Sequence, residues 1–461
     1  MPHLRRVYVL GVILAGGCSG ATSEPAAEAP PAAEAVVAAA DDVDGSAASP
    51  ADERVDLTRR LAQLTRQAEE HQRRGYFEQS LAARAELVGL LEGNFGFDSW
   101  QARSARLALA HEHRRHEFSA PERAVCDAAE AREREARQLW NQNRPQEAAA
   151  ALAEAQRLGG QVWGEASYGV ASLADQGARW RLAVGDQAGA EELFRQALAI
   201  RQSVFTADHP DTVASRSSLG LILQARGRND QAEPLLREAA ERAETVWGAQ
   251  HVEYALHLNN LAMLLHEQEK NAEASDLLTR ALDIRRQAAG ERHEVVGHTH
   301  LNLGSVYYAE RQYGKATASF REALAIFEPA LGGGHGATRK ARTSLALTRM
   351  AERDFREAEL LLREDLAVTR RDLGEINAEY AEDLARLAAL YGNEGRFDQA
   401  LPLAEQSAAI HAKAGGPADP RGRQSQELVA KVRERIAARS PAGQDRATRT
   451  SFEQDAAPTR R

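Results

Sequence analysis

A fixed interval of 42 residues recurs along more than half of this 461-residue chain. Four kinds of residue return in phase at that interval. The histidine series is His209, His251, His293 and His335, with Asn377 at the next step. The other series are Leu219, Leu261, Leu303, Leu345 and Leu387; Ala190, Ala232, Ala274, Ala316, Ala358 and Ala400; and Gly248, Gly290, Gly332, Gly374 and Gly416. Repeats of this length stack side by side, so the interval predicts a solenoid.

Each repeat has the pattern of two antiparallel helices. In the stretch from His257 to Gly290, apolar residues fall at helical spacing on both sides of the polar turn "EQEKN". Leu261 is expected to face the core from the first helix, and Ala274 to let the second helix approach closely. Gly290 follows the second helix and suits a left-handed C-terminal cap. A composition rich in Ala, Leu, Arg and Glu also favours helices, so we expect an all-α fold of stacked helix pairs.

The repeat resembles the tetratricopeptide repeat in its longer 42-residue form, which is found in kinesin light chains and many bacterial proteins. The unit "DHPDTVASRSSLGLILQARGRNDQAEPLLREA" matches that family nearly end to end, and the resemblance extends over residues 161–416. It implies a superhelical solenoid whose first helices line a concave groove, where the family's ligands are usually extended peptides. It is specific for the fold and not for the function.

The register predicts how the rest of the chain is organised. Regular repeats are expected over residues 167–418 and degenerate helical repeats over 54–166, with an insertion or an extra helix around "HEHRRHEFSAPERAVCDAAEA". A charged amphipathic helix over 419–439 is expected to cap the array, and residues 440–461 are expected to be a disordered tail.

The first residues have the pattern of an export signal. "MPHLRRVYVLGVILAGGC" places two arginines before a short apolar run and small residues before Cys18. "LAGGC" resembles a bacterial lipobox, which implies that residues 1–17 are a signal peptide and that Cys18 is lipidated; the alternative is an ordinary secretory signal. In the family's sorting pattern, Ser19 in place of Asp points to the outer membrane, facing the periplasm.

The next segment, residues 18–53, is predicted to be a disordered tether. It is rich in Ala and Pro, with almost no large apolar residue. Its eight acidic residues, with no basic one, account for most of the net charge of −9. The helical body has no basic stripe of the kind that binds a phosphate backbone, so we expect no nucleic-acid partner.

The sequence offers no catalytic or metal-binding constellation. One histidine per repeat is too widely spaced for zinc, whose ligands lie near 2 Å, so the histidines are interpreted as helix-start or surface residues. Neither a Gly-Xaa-Ser-Xaa-Gly elbow nor a phosphate-binding loop occurs. Cys126 is interpreted as a small buried helix residue. We therefore expect no enzyme, no cofactor, no metal and no small-molecule substrate.

The resemblance implies candidate peptide-binding residues at two offsets in the first helices. These are the residue just before the core leucine and the residue five before it. The candidates are Ser218, Asn260, Asn302, Ser344 and Arg386 at the first offset, and His298 and Lys340 at the second. An asparagine amide can both donate to and accept from a peptide backbone, whereas Lys340 and Arg386 suit an acidic side chain or a C-terminal carboxylate.

Two functions remain open from the sequence. The first is an envelope-anchored scaffold that binds a protein or peptide partner in the groove. The second is an assembly or pilot lipoprotein for an envelope machine, such as a pilus, secretion or cell-wall synthesis system. That protein would use its convex face or its ends.

Overall fold

The computed structural model describes residues 50–415 and 420–439. Within these residues the secondary structure is helical, with short connections and no strand. The predicted signal peptide, Cys18, the tether up to residue 49 and the tail from residue 440 lie outside the described residues. The protein is all-α, as the repeat pattern predicts.

The chain divides into two compact units, one up to Gln268 and one from Glu269. In its described part, unit 1 contains α1 (Pro50–Arg73), α2 (Phe77–Phe95), α3 (Trp100–Glu117), α4 (Ala120–Asn141), α5 (Pro145–Trp163), α6 (Tyr168–Ala183), α7 (Gln187–Val204), α8 (Pro210–Ala225), α9 (Asn229–Trp247) and α10 (Val252–Glu267). The described part of unit 2 contains α11 (Asn271–Ala289), α12 (Glu294–Ala309), α13 (Tyr313–Leu331), α14 (Gly336–Ala351), α15 (Phe355–Leu373), α16 (Ala378–Glu394), α17 (Phe397–Gly415) and α18 (Pro420–Arg439).

Small and large side chains alternate at fixed repeat positions in the interiors of both units. Every alanine of the 42-residue series has no exposed surface, and the core leucines retain at most a few per cent. Four residues after each of the first five alanines, the second helix presents a large side chain that is 0–2% exposed: Phe194, Leu236, Leu278, Phe320 and Leu362. The methyl group of each alanine allows the neighbouring helix to approach closely. The large side chain fills the space that remains between the helices.

The glycine series ends the second helices. Gly248, Gly290 and Gly332 have φ between 82° and 89°, and each backbone N–H bonds to the carbonyl four residues earlier. This backbone conformation is strained for a residue with a Cβ atom. The chain therefore turns toward the next first helix at a position that favours glycine.

The N-terminal helices depart from the regular pattern. Helix α1 begins at Pro50, inside the segment predicted to be a tether. The predicted insertion, around residues 111–131, coincides with the end of helix α3 and the first half of α4. Helix α3 packs on α2 and is followed by the α4–α5 hairpin rather than by an antiparallel partner of its own.

At the other end, α18 packs on α17 and covers the apolar side of the last repeat. Val432 of α18 is 3% exposed and belongs to the same hydrophobic cluster as Leu387, Leu390 and Tyr391. The described chain thus ends on a helix that shields the final hairpin from solvent.

Candidate interaction surface

The histidine series lies at the N-termini of the first helices. In each case the imidazole Nδ1 accepts the backbone N–H two residues later, and the distance for His209 is 3.1 Å. At the fifth position the carboxamide oxygen of Asn377 accepts the equivalent bond at 2.7 Å. The helix-start interpretation is confirmed, because the imidazole nitrogen supplies the acceptor that an N-cap requires.

The predicted ligand-contact residues lie on successive first helices. Unit 1 carries Ser218 on α8 and Asn260 on α10. Unit 2 carries His298 and Asn302 on α12, Lys340 and Ser344 on α14, and Arg386 on α16. Unit 2 thus carries five of the seven on three consecutive first helices.

In unit 1 the two predicted residues are buried. Asn260 is 4% exposed and Ser218 is 8% exposed. The Nδ2 of Asn260 donates to Ser217 Oγ at 3.3 Å, which ties α10 to α8. The Oδ1 of Asn260 has no hydrogen-bond partner in the protein. The amide therefore joins two neighbouring first helices and retains one unused acceptor.

In unit 2, Asn302 is also buried, at 2% exposure. The buried asparagines of α10 and α12 occupy equivalent repeat positions, one in each unit. The resemblance implied that they contact a ligand in the groove; in the structure both side chains are buried. Replacing Asn302 would therefore change packing as well as any ligand contact.

His298 and Lys340 form the more accessible part of the surface on unit 2. His298 Nε2 lies 3.3 Å from Glu294 Oε1, and its ring centroid lies 4.8 Å from that of Phe327. Burial lowers the pKa of His298. The hydrogen bond and negative charge of Glu294 oppose that shift, and the positive charges of Arg285 and Lys340 add to it. Burial also lowers the pKa of Lys340 to about 8. The structure therefore brings two basic groups together, with the carboxylate of Glu294 beside His298.

Arg386 is already engaged by two carboxylates of its own helix. Its guanidinium donates to Asp383 Oδ1 at 2.5 Å and to Glu382 Oε2 at 2.8 Å. A ligand carboxylate at Arg386 would have to compete with both. Ser344 is half-buried on α14, one turn after Lys340.

A buried ionic network lies behind this surface, and the sequence reasoning missed it. Arg342 is 1% exposed and donates to Asp365 Oδ1 at 2.8 Å, and Thr343 donates to Asp365 Oδ2 at 2.7 Å. Burial raises the pKa of Asp365, although these two donors oppose that shift. Asp383, 1% exposed, accepts from Arg339 at 2.9 Å and from Thr369 at 2.6 Å.

The network did have a signal in the sequence. Asp365 stands where the four preceding repeats carry alanine: Ala197, Ala239, Ala281 and Ala323. A carboxylate at a position that is otherwise a buried methyl group predicts a buried cationic partner. The network fixes α14, α15 and α16 against one another and so supports the surface that carries Lys340.

Metal sites and membrane-spanning helices are both absent from the described residues. Over the described residues, no group of three or more His, Cys, Asp or Glu side chains is arranged to hold a metal ion. In the same part of the chain, no helix is long and apolar enough to cross a membrane.

Stacked antiparallel helix pairs with a 42-residue period define a helical-repeat protein. A family model described as tetratricopeptide repeat matches residues 171–245, 211–287 and 295–371, and a second with the same description matches 384–421. The matched residues make up about half of the sequence, and the chain belongs to the tetratricopeptide repeat family. Proteins of this family are generally non-catalytic scaffolds that bind protein or peptide partners.

Solved structures with similar folds include kinesin-light-chain-like proteins. TPR-like repeats of a Podosopora anserina kinesin light chain are 22% identical, cover 45% of this chain and 98% of theirs, and give a TM-score of 0.40. BtubC (BKLC) of P. vanneervenii is 22% identical, with 55% and 92% coverage and a TM-score of 0.41. PilF of Pseudomonas aeruginosa is 18% identical, with 56% and 96% coverage and a TM-score of 0.38. No curated protein matches this sequence.

Proposed function

We propose that this protein is a non-catalytic scaffold of the bacterial envelope that binds an acidic protein segment on the first-helix surface of unit 2. The observation that carries the proposal is the pair formed by His298 and Lys340. These side chains occupy the same repeat position on α12 and α14, and the lysine charge acts on the histidine.

A carboxylate suits this pair for an electrostatic reason. Burial has lowered the pKa of both bases, so each has lost favourable contact with water. A ligand carboxylate placed between them would add to the negative charge that Glu294 already supplies and raise both pKa values. Ser344, one turn beyond Lys340, can donate a hydrogen bond from its hydroxyl group to the same ligand. A glutamate or aspartate side chain, or a C-terminal carboxylate, has the required chemistry.

We further propose that a lipid on Cys18 anchors the protein to the outer membrane, facing the periplasm. The export signal, the "LAGGC" sequence and Ser19 support this location. An acidic tether would then hold the helical units away from the bilayer. The Cys18→Ser variant should leave the membrane fraction and lose incorporation of labelled palmitate, whereas Cys126→Ser should change neither.

The binding proposal is tested by affinity capture from an envelope extract, using protein that begins at Ser19. The surface variant is His298→Ala, Lys340→Ala and Ser344→Ala, which spares the buried asparagines. The matched control is Glu322→Ala with Arg356→Ala, two exposed residues on the second helices α13 and α15. A partner that is held by the wild type and the control but lost from the surface variant supports the proposal.

The pilot-lipoprotein alternative predicts a different outcome of the same experiment. A partner held equally by the surface variant but lost on removal of α18 would place binding at the end of the array. That result would contradict the proposed site on unit 2.

A further inference from the structure

Helix α3 lies across the edge of unit 1 where the second helices end. At its C-terminal part, Arg114 Nη2 donates to the carbonyl of Val162 at 3.2 Å. The ring of His111 stacks on Trp163 with the centroids 3.6 Å apart. Both contacts are made to the last residues of α5.

The middle and the start of α3 reach the next two repeats. Leu107 and Val204, the last residue of α7, line one cavity. Ser104 Oγ lies 2.6 Å from His209 Nε2 at the start of α8. Val246, near the end of α9, packs against the hydrophobic cluster that contains Trp100. A single helix thus contacts three successive repeats.

Val162, Trp163, Val204 and Val246, which lie against α3, belong to a row with the 42-residue period. Together with the adjacent Phe205 and Trp247 they form what we call the edge row: Val162 and Trp163, Val204 and Phe205, and Val246 and Trp247. The equivalent positions in the following repeats carry Ala288 and Ala289, Ala330 and Leu331, and Asp372 and Leu373. Large apolar side chains therefore occur where α3 lies, and mostly small or polar ones occur where it does not. The apolar part of this row therefore coincides with the part that α3 covers.

The face of α3 that meets the edge row has helical spacing. Trp100, Ser104, Leu107 and His111 follow one another at intervals of four, three and four residues. The distance from the first to the last is about 16 Å at 1.5 Å per residue, which suits a helix that bridges adjacent hairpins.

Packing between α3 and the edge row is incomplete. One cavity of about 420 Å³ is lined by residues of α3 together with Val204. A second, of about 340 Å³, lies between the start of α3 and the end of α9 and is lined in part by Trp100 and Thr245. Both are clefts open to solvent rather than enclosed voids, since Asp98, whose side chain is 88% exposed, lines each of them.

The three N-terminal helices are joined to the repeats at one short connection. Phe118 and Ser119 separate α3 from α4, and Ser119 begins α4 with a capping box that includes Glu122. Helix α4 pairs with α5 and does not depend on α3 for an antiparallel partner. Phe118 is 4% exposed and packs with Cys126, Val162 and Trp163, so release of α1–α3 would require movement just before Phe118 and loss of the Arg115–Glu130 ion pair.

We propose that α1–α3 form a releasable strap that masks the edge row, and that the released row binds an amphipathic helix of a partner. The partner helix would carry apolar side chains at the spacing of Trp100, Leu107 and His111, because α3 is the helix that occupies the row in this structure. The strap would then act as an intramolecular competitor for that partner.

The test uses a fluorescent peptide with the sequence of residues 99–118, added to the full chain and followed by anisotropy. In the wild type, α3 occupies the row and the peptide should bind weakly. Leu107→Asp weakens α3 in the chain but leaves the row intact, so peptide affinity should rise about tenfold or more. His113→Asp, at an exposed position of the same helix, should behave like the wild type.

The receptor side is tested by adding Val204→Asp to the Leu107→Asp chain, which should abolish the gain. Equal peptide binding to the wild type and Leu107→Asp, or binding that survives Val204→Asp, would overturn the proposal. If Leu107→Asp unfolds α3 itself, the row is still freed and the outcome is unchanged. Hydrogen exchange at α5, α7 and α9 establishes that the repeats remain folded in each variant.

Discussion

At the residue scale, histidine takes the place of asparagine at the start of successive first helices. An N-cap needs an acceptor for a backbone N–H, and an imidazole Nδ1 supplies one only when it carries no proton. In His209 this leaves the proton on Nε2, which donates to Ser104 Oγ. The ring also stacks on Phe205, with the centroids 3.6 Å apart. One side chain therefore caps α8 and holds α3.

The arrangement at His209 predicts a pH dependence of stability. Burial, aided by the charges of Arg201 and Arg103, lowers the pKa of His209 from 6.5 to about 3. Between these values the unfolded chain binds a proton that the native protein does not, so this group's contribution to stability is full above about pH 6.5. It is lost as the pH falls toward 3.

His209→Asn keeps the cap, as Asn377 does in the same chain, but removes the titration. At pH 7 it should cost about 1–2 kcal/mol, through loss of the Ser104 bond and the ring stacking. The advantage of the wild type in unfolding free energy should fall from pH 7 to pH 4 in urea titrations and reverse its sign, because the pKa shift outweighs the cost at pH 7. A constant difference would contradict the buried-histidine account. His335→Asn, at an exposed cap, should stay within about 0.5 kcal/mol of wild type at pH 7.

The turn between the two helices of a repeat offers a second residue-scale prediction. Gly185, Gly227 and Gly395 have positive φ at this position, but Arg311 and Arg353 occupy it with φ of 59° and 65°. Because the left-handed region costs a residue with a Cβ atom about 1 kcal/mol, Arg311→Gly should raise the unfolding free energy by about that amount. Chemical denaturation measures the change. Gly227→Ala should act in the opposite direction, and stabilisation by both would exclude this explanation.

At the scale of the helix pair, close approach depends on small residues in the first helix. A Cβ atom added at Gly304 of α12 would lie 2.5 Å from the Phe320 ring of α13. At Gly220 of α8, an added Cβ would lie 2.7 Å from Leu236 of α9. The large core residue of the second helix thus fills the space that the glycine leaves.

Gly304→Ala should therefore destabilise unit 2 by about 1–3 kcal/mol, even though alanine is the better helix former. Gly314→Ala is the matched control, because a Cβ atom at Gly314 meets no atom within 4 Å. The control should be neutral or stabilising in the same thermal unfolding experiment. If both variants are equally stable, the contact with Phe320 is not the reason for glycine at position 304.

Much of the helix-pair architecture can be derived from the 42-residue spacing. Leu261 and Ala274 identify the two helices of a repeat, and the glycines identify the helix ends. These residues are predictable because their roles depend only on the geometry within one repeat. The position of α3 could not be predicted in this way. Its contacts with Trp163 and His209 join residues far apart in the sequence, and only the row of large side chains at 42-residue intervals indicates them. The burial of Asn260 and Asn302 likewise depends on how neighbouring first helices pack.

At the scale of the whole molecule, the two units differ in how they use the first helices. Unit 1 carries Ser218 and Asn260 at the predicted contact positions, and its edge row is covered by α3. Unit 2 carries His298, Lys340 and the ionic network around Asp365 and Asp383. A protein that combines these features has a charged surface on one unit and a masked apolar edge on the other. That combination suits a scaffold that engages more than one partner.

The measurement that tests the central claim most directly is photo-crosslinking in living cells, with a benzophenone amino acid at position 298 or 344. The matched position is 322, on the second helix α13. The account predicts a discrete crosslinked partner from positions 298 and 344 and none from 322, with the crosslink lost when Lys340 is replaced by alanine. A partner that crosslinks only from position 322 would contradict the assignment of binding to the first-helix surface of unit 2.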